Sequence, residues 1–227
     1  MRPVPLTVPV PGSGDLPALL LESGAPSCLL ALAHGAGAGM AHPFMEALAR
    51  RLSDVGVSTL RFQFPYMAAG SRRPDRRPVL VAAWEAAVGA AAERAGGLPL
   101  LAGGKSMGGR MASHAAAEDR LGGVRGLVFV GFPLHPARRP GTERADHLAD
   151  VRLPMLFLQG TRDALADLDL LRPVLEPLGE RATLHVVDGA DHGFHVLKRS
   201  GRSDEDVLDE MARTTAAWAR SVAAAPP

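Results

Sequence analysis

Leu98-Pro99-Leu100-Leu101-Ala102-Gly103-Gly104-Lys105-Ser106-Met107-Gly108-Gly109-Arg110 carries the strongest fold signal in this 227-residue chain. The apolar run over 98–103 reads as a buried strand and the segment over 107–118 as a helix. Between them stands Gly104-x-Ser106-x-Gly108. A serine on so sharp a strand-to-helix turn sits in strained backbone. Side chains beside it would meet the neighbouring strand and helix, hence glycine on both sides. The turn aims the hydroxyl outward ahead of the helix N-terminus, where the dipole and free N–H groups favour developing negative charge. In a chain with 25 glycines the bare pattern is weak, and its strand-turn-helix setting supplies the weight. Gly104-Lys105-Ser106 also looks like the end of a phosphate-binding P-loop, but the glycine required five residues earlier is Pro99.

Working outward, strand-length apolar runs alternate with Ala-rich helical segments. Strands are predicted over 7–10, 16–22, 27–33, 57–64, 98–103, 126–131, 154–160 and 183–187. Helices are predicted over 43–54, 79–95, 107–118, 164–178 and 204–223. Repeated β-α alternation implies an α/β fold: a doubly wound, mainly parallel sheet with helices on both faces. No internal repeat or dividing linker breaks the pattern, so residues 1–227 are expected to form a single domain. The least regular stretch, 133–150, is too short for a folded cap and reads as an exposed loop with one short helix near 144–150.

A serine hydroxyl needs a base to take its proton, and the base needs an orienting carboxylate. Met155-Leu156-Phe157-Leu158-Gln159-Gly160-Thr161-Arg162-Asp163 is an apolar strand opening into a turn that ends in aspartate. Thr183-Leu184-His185-Val186-Val187-Asp188-Gly189-Ala190-Asp191-His192-Gly193-Phe194 is another strand, with a glycine-containing loop that carries histidine. The order Ser106, Asp163, His192, each after a strand, is the order expected of a triad in such a sheet. Asp167 and Asp169 lie further into the next helix. Asp188 and Asp191 flank the histidine too closely and are read as loop braces. His195 is the rival base, and His185 within its strand is read as structural or surface. No metal-ligand spacing emerges from these groups.

Ala33-His34-Gly35-Ala36-Gly37-Ala38-Gly39 follows the strand over 27–33, and its small residues let backbone amides approach a carbonyl that becomes an oxyanion. The expected donors are the N–H of Met107 and that of Ala36, with Gly37 as the alternative. His34 is expected to shape the loop. Candidates for substrate contact are His34, Gly35, Gly37, Tyr66, Phe132 and Lys105, the last either capturing an acidic group or forming a structural ion pair. The same choice faces Arg72, Arg73, Arg76 and Arg77: a solvated surface, or capture of an anion.

Composition limits the classes. With 25 basic and 24 acidic residues, a net charge of +1 leaves no footprint for nucleic acid. Cys28 has no partner for an intramolecular disulfide and reads as a small buried hydrophobe. No run reaches the length of a membrane span, and the default location is the cytoplasm.

Taken together, these segments resemble the α/β-hydrolase superfamily over nearly the full length. Leu32 through Met40, Arg61-Phe62-Gln63-Phe64-Pro65-Tyr66 and Gly103 through Arg110 are similar to one branch: small predicted hydrolases akin to dienelactone hydrolases and to the testis-expressed, KANL-type proteins. The resemblance implies hydrolysis of an ester or related acyl bond in a small molecule, with minimal or no cap over the site and no metal or organic cofactor. Dienelactone hydrolases proper use a cysteine where this chain has Ser106, so lactone specificity does not carry over. Some eukaryotic relatives serve in assemblies, which keeps a binding or scaffold role beside the hydrolase reading, as it does thioesterase or peptidase activity.

Overall fold

The structure, a computed structural model, describes residues 2–224. Its strands are β1 (Val4–Val10), β2 (Gly14–Leu21), β3 (Cys28–Ala33), β4 (Val57–Phe62), β5 (Leu100–Lys105), β6 (Val124–Val130), β7 (Met155–Gly160) and β8 (Ala182–Val187). The helices are α1 (Pro43–Asp54), α2 (Pro65–Ala68), α3 (Arg77–Ala92), α4 (Met107–Ala117), α5 (Leu168–Leu175) and α6 (Asp204–Ala224). One eight-stranded sheet runs in the order β1-β2-β4-β3-β5-β6-β7-β8. β2 is antiparallel to both its neighbours, and β4, β3, β5, β6, β7 and β8 pair in parallel. This is the mainly parallel, doubly wound α/β sheet the alternation implied.

Period-two burial divides the core. Leu29, Ala31 and Ala33 of β3 pack on one face with α3 and α4, through Trp84, Ala87, Met111 and Ala112. Cys28, Leu30 and Leu32 face the other way, toward Leu48 and Leu52 of α1 and Met211 and Ala219 of α6. A strand buried on both faces must be apolar at every position, which is why β3 reads as a continuous run. In α1, Met45, Leu48, Ala49 and Leu52 give the matching helical stripe. Its entry is set by Pro43 and by His42, whose Nδ1 accepts from the Phe44 amide at 3.2 Å.

Several boundaries differ from the sequence reading. β4 ends at Phe62, two residues early, because Phe64 caps the short helix that Pro65 opens. α3 starts at Arg77, since Pro78 fits a first turn where no N–H partner is needed. α5 begins only at Leu168, capped by Asp167, whose Oδ1 accepts from the Asp169 amide. The stretch over 133–150 is less exposed than expected. Leu134 and His135 are buried, and the 3₁₀ helix Glu143–Asp150 seats Ala145 and Leu148 in the core.

The strand order decides where a site can form. From β3 the chain moves to β4 on one side and later to β5 on the other, so the loops leaving β3 and β5 diverge at their C-terminal ends. Such a switch point opens a crevice. Ser106 follows β5 directly, and His34 through Gly39 follow β3.

Candidate active site

Ser106 stands between β5 and α4 with φ 50° and ψ −116°, a conformation costly for any residue but glycine. Packing enforces it. A Cβ on Gly104 would lie 2.6 Å from the Ala33 carbonyl oxygen, and one on Gly108 2.5 Å from that of His34. The turn is held by the Ser106 amide, which donates to the Val130 carbonyl at 3.0 Å. It is also held by Trp84, fully buried, whose Nε1 donates to the Gly108 carbonyl at 3.0 Å.

His192 reaches this serine from the loop after β8. Its Nε2 lies 2.9 Å from Ser106 Oγ and its Nδ1 2.7 Å from Asp163 Oδ2. An ionised carboxylate only accepts, so the ring proton sits on Nδ1 and the Nε2 lone pair faces the serine O–H. Asp163, its side chain 1% exposed, also accepts from the Leu165 amide at 2.8 Å through Oδ1. Gln159 Nε2 donates to its Oδ2 at 2.6 Å, while Gln159 Oε1 accepts from the Phe132 amide at 2.9 Å. Gln159 was missed in the sequence, although an amide inside the run Met155–Gly160 was a visible anomaly. The β7 exit is close-packed as well: a Cβ on Gly160 would lie 2.3 Å from the Ala190 carbonyl oxygen.

The other acids and histidines have separate employment. Asp191 Oδ1 accepts from the amides of Gly193 and His195, bracing the histidine loop. Asp188 accepts from the Thr161 hydroxyl at 3.3 Å. His195 pairs with Asp204 at 2.8 Å on the exposed surface, and its hydrogen bond to that carboxylate raises its pKa. His185 Nε2 contacts Glu210 at 2.7 Å. Among the described residues no three His, Cys, Asp or Glu side chains are grouped to hold a metal ion.

Lys105 does not form the structural ion pair that was one of its two expected roles. Its ammonium lies within ion-pair distance of no carboxylate among the described residues and instead donates to the His192 carbonyl at 2.6 Å. It also lies 5.4 Å from the centre of the Phe194 ring. Burial lowers its pKa to about 8, against the opposing pull of Asp163 and Asp191. Lys105 therefore tethers the histidine loop to the serine turn.

The glycine-rich loop is pinned by the Arg61–Tyr66 segment. His34 is fully buried, which lowers its pKa. Its Nε2 accepts from the Phe64 amide at 3.1 Å and its Nδ1 donates to the Gly35 carbonyl at 2.8 Å, so it is a neutral brace. Arg61 donates to the Met40 carbonyl, and Gln63 accepts from the Met40 amide. The amides of Ala36 and Met107 donate to no protein acceptor among the described residues. Gly35 packs against the serine: its missing Cβ would sit 3.6 Å from Ser106 Cβ.

A cavity of about 330 Å³ opens at Ser106 and His192, bounded by Gly35, Ala36, Lys105 and the apolar side chains of Phe44, Met45 and Leu165. His34, Gly37, Tyr66 and Phe132 are not part of its wall. Phe132 is 1% exposed and packs on Phe129 and Phe157. Tyr66 is buried beneath the loop, where its hydroxyl lies beside the Gly37 backbone without a well-formed hydrogen bond. Phe44, Met45 and Leu165 were not singled out in the sequence, because only the fold brings α1 and the turn before α5 to the serine.

The sequence matches the α/β-hydrolase domain family over residues 26–220, and the chain belongs to that family. Solved structures share the fold at low identity. A Xanthomonas campestris protein described as an a/b serine hydrolase without lid superposes with TM-score 0.74 at 21% identity, covering 100% of this chain and 98% of its own. A dienelactone hydrolase from Anabaena variabilis gives 0.73 at 22%, covering 97% and 99%. The esterase domain of a Rhodothermus marinus protein gives 0.71 at 19%, covering 97% and 99%. No helix among the described residues is long and apolar enough to cross a membrane.

Proposed function

We propose that this chain is a serine hydrolase that cleaves an ester or related acyl bond of a small substrate through an acyl-enzyme, with Ser106 as nucleophile, His192 as base and Asp163 as its orienting acid. The observation that carries the reading is the unbroken line from Ser106 Oγ through His192 to Asp163, at 2.9 and 2.7 Å, on a serine held at positive φ.

In this reading Ser106 Oγ attacks the acyl carbonyl while its proton passes to His192 Nε2. Asp163 holds the ring and stabilises the imidazolium. The Ala36 and Met107 amides receive the oxyanion of the tetrahedral intermediate. Collapse breaks the bond to the leaving group, which takes the proton from His192. A water molecule then gives a proton to His192 and attacks the acyl-enzyme; release of the acid returns that proton to Ser106 Oγ. Lys105 contributes by fixing the His192 backbone, and Gln159 by fixing Asp163.

Fluorophosphonate labelling of the purified protein beside Ser106→Ala, with hydrolysis of p-nitrophenyl esters in parallel, tests the proposal. Labelling and turnover should both vanish in the variant, turnover by a factor of about 10⁴ or more. Labelling that persists in Ser106→Ala would overturn the assignment of the nucleophile. A folded wild type that never labels would place the chain among binding proteins of the same fold.

A further inference from the structure

A second cavity, about 730 Å³, lies on the far side of the Ser106 turn, bounded by the start of α3, by α4 and by Glu143 and Arg144. Met107, Arg110, Met111 and His114 line it from α4. Their spacing of three, four and seven residues puts them on one face of that helix. The two cavities flank the serine turn: Ser106 borders the first and Met107 the second. Arg110 stands one turn beyond Ser106, about 6 Å along the helix axis.

Cations outnumber acids in the wall of this cavity, with three arginines against Asp75 and Glu143. Arg77, Arg110 and Arg144 converge on it. The Arg110 and Arg144 side chains, both partly buried, make no hydrogen bond and no ion pair among the described residues. Burial lowers the pKa of Arg110, and the nearby charges of Arg144 and Arg77 lower it further. Arg77 meets Glu118 only at 3.9 Å, with both side chains exposed. Of the two acids in the wall, Asp75 accepts from the Tyr66 amide and Glu143 is exposed. The floor adds no negative charge. His114 stacks on His147 with ring centres 3.6 Å apart, and burial together with the neighbouring arginines keeps both rings neutral, with pKa values of about 3 and 4.

Arg110 and Arg144 are partly buried cations with no carboxylate partner among the described residues, and a phosphate is an anion that guanidinium forks bind well. We propose that the cavity formed by Arg77, Arg110 and Arg144 binds a phosphate group carried on the acyl part of the substrate. In that assignment the leaving group departs on the side of the first cavity, which His192 borders, and the acyl part extends past Met107 toward the arginines. Arg72, Arg73 and Arg76, grouped with Arg77 in the sequence, are not part of the cavity wall. The substrate assignment rests on the hydrolase reading above; the anion site rests on its own geometry.

Two measurements separate these dependencies. In the first, inorganic phosphate is titrated into the protein against chloride at equal ionic strength while the His114 and His147 imidazole resonances are followed. Phosphate should shift both, and the double variant Arg110→Gln with Arg144→Gln should weaken binding at least about tenfold. That variant relieves like-charge repulsion, so its melting temperature should not fall. An equal response to chloride, or an unchanged affinity in the variant, would overturn the site. In the second, kcat/KM for p-nitrophenyl 4-phosphonobutyrate is divided by that for p-nitrophenyl pentanoate. The ratio should exceed one in the wild type and fall at least about tenfold in the variant. Phosphate binding with no such preference would overturn the assignment to substrate. Hydrolysis of neither ester would mean that the hydrolase reading has failed, and the titration would still decide the anion site.

Discussion

Replacing Gln159 by leucine removes two buried hydrogen bonds while nearly conserving volume. Gln159 is fully buried, and its amide joins the Asp163 carboxylate to the Phe132 backbone. The change leaves the Phe132 N–H without its acceptor, at a cost of about 1–3 kcal/mol, and removes a bond to an ionised group worth about 1.5–3 kcal/mol. Burying leucine in place of an amide returns part of this, for a net loss of roughly 2–4 kcal/mol. In a chain of this length each kcal/mol moves the melting temperature by a few degrees, so scanning calorimetry should show a fall of roughly 5–15 °C. Asp163 keeps the Leu165 amide and His192 but loses the contact that stops its carboxylate from rotating. Small misplacements of catalytic groups are expensive, so kcat for a p-nitrophenyl ester should drop about 10- to 100-fold with KM little changed. A Gln159→Leu protein with the melting temperature and kcat of the wild type would refute the positioning argument.

Gly108→Ala places a Cβ 2.5 Å from the His34 carbonyl oxygen and 2.8 Å from that of Ala33, so backbone must shift. It should cost about 1–3 kcal/mol or more in a denaturant titration and abolish fluorophosphonate labelling, whereas Gly122→Ala, with nothing within 4 Å, should be silent in both. His195→Ala should leave ester hydrolysis intact. Because Asp204 raises the His195 pKa above 6.5, the pair's contribution is complete below 6.5 and fades as pH climbs through the raised value, so variant and wild-type stability should converge at alkaline pH. His114 and His147 run the opposite way: folded values of about 3 and 4 lie below 6.5, so the unfolded chain binds more protons as pH falls from 6.5 toward 3. Urea midpoints at neutral and acid pH should show His114→Phe losing less stability on acidification than the wild type.

The sequence by itself determined the sheet, its helices and the serine turn, because each is written in local periodicity. β3 is apolar at every position because both its faces are buried, and α1 repeats its apolar residues at helical intervals. Gly104, Ser106 and Gly108 were legible for the same reason, since a turn is a property of adjacent residues. Asp163 and His192 could be singled out by chain order after their strands, and the fold sets them in one hydrogen-bonded line whose chemical role the labelling experiment decides. Tertiary structure alone decided the rest. In the sequence Lys105 was a positive charge beside a nucleophile, open to an acidic group or an ion pair, and only the approach of the β8 loop makes it a tether for the His192 carbonyl. Gln159 acquires meaning from Phe132, 27 residues away. Arg110 and Arg144, separated by the rest of α4, all of β6 and the loop after it, face each other because the Glu143–Asp150 turn packs on α4. Electrostatics and hydrogen bonding act through space, and a pattern in sequence reports only what the chain's own neighbours impose.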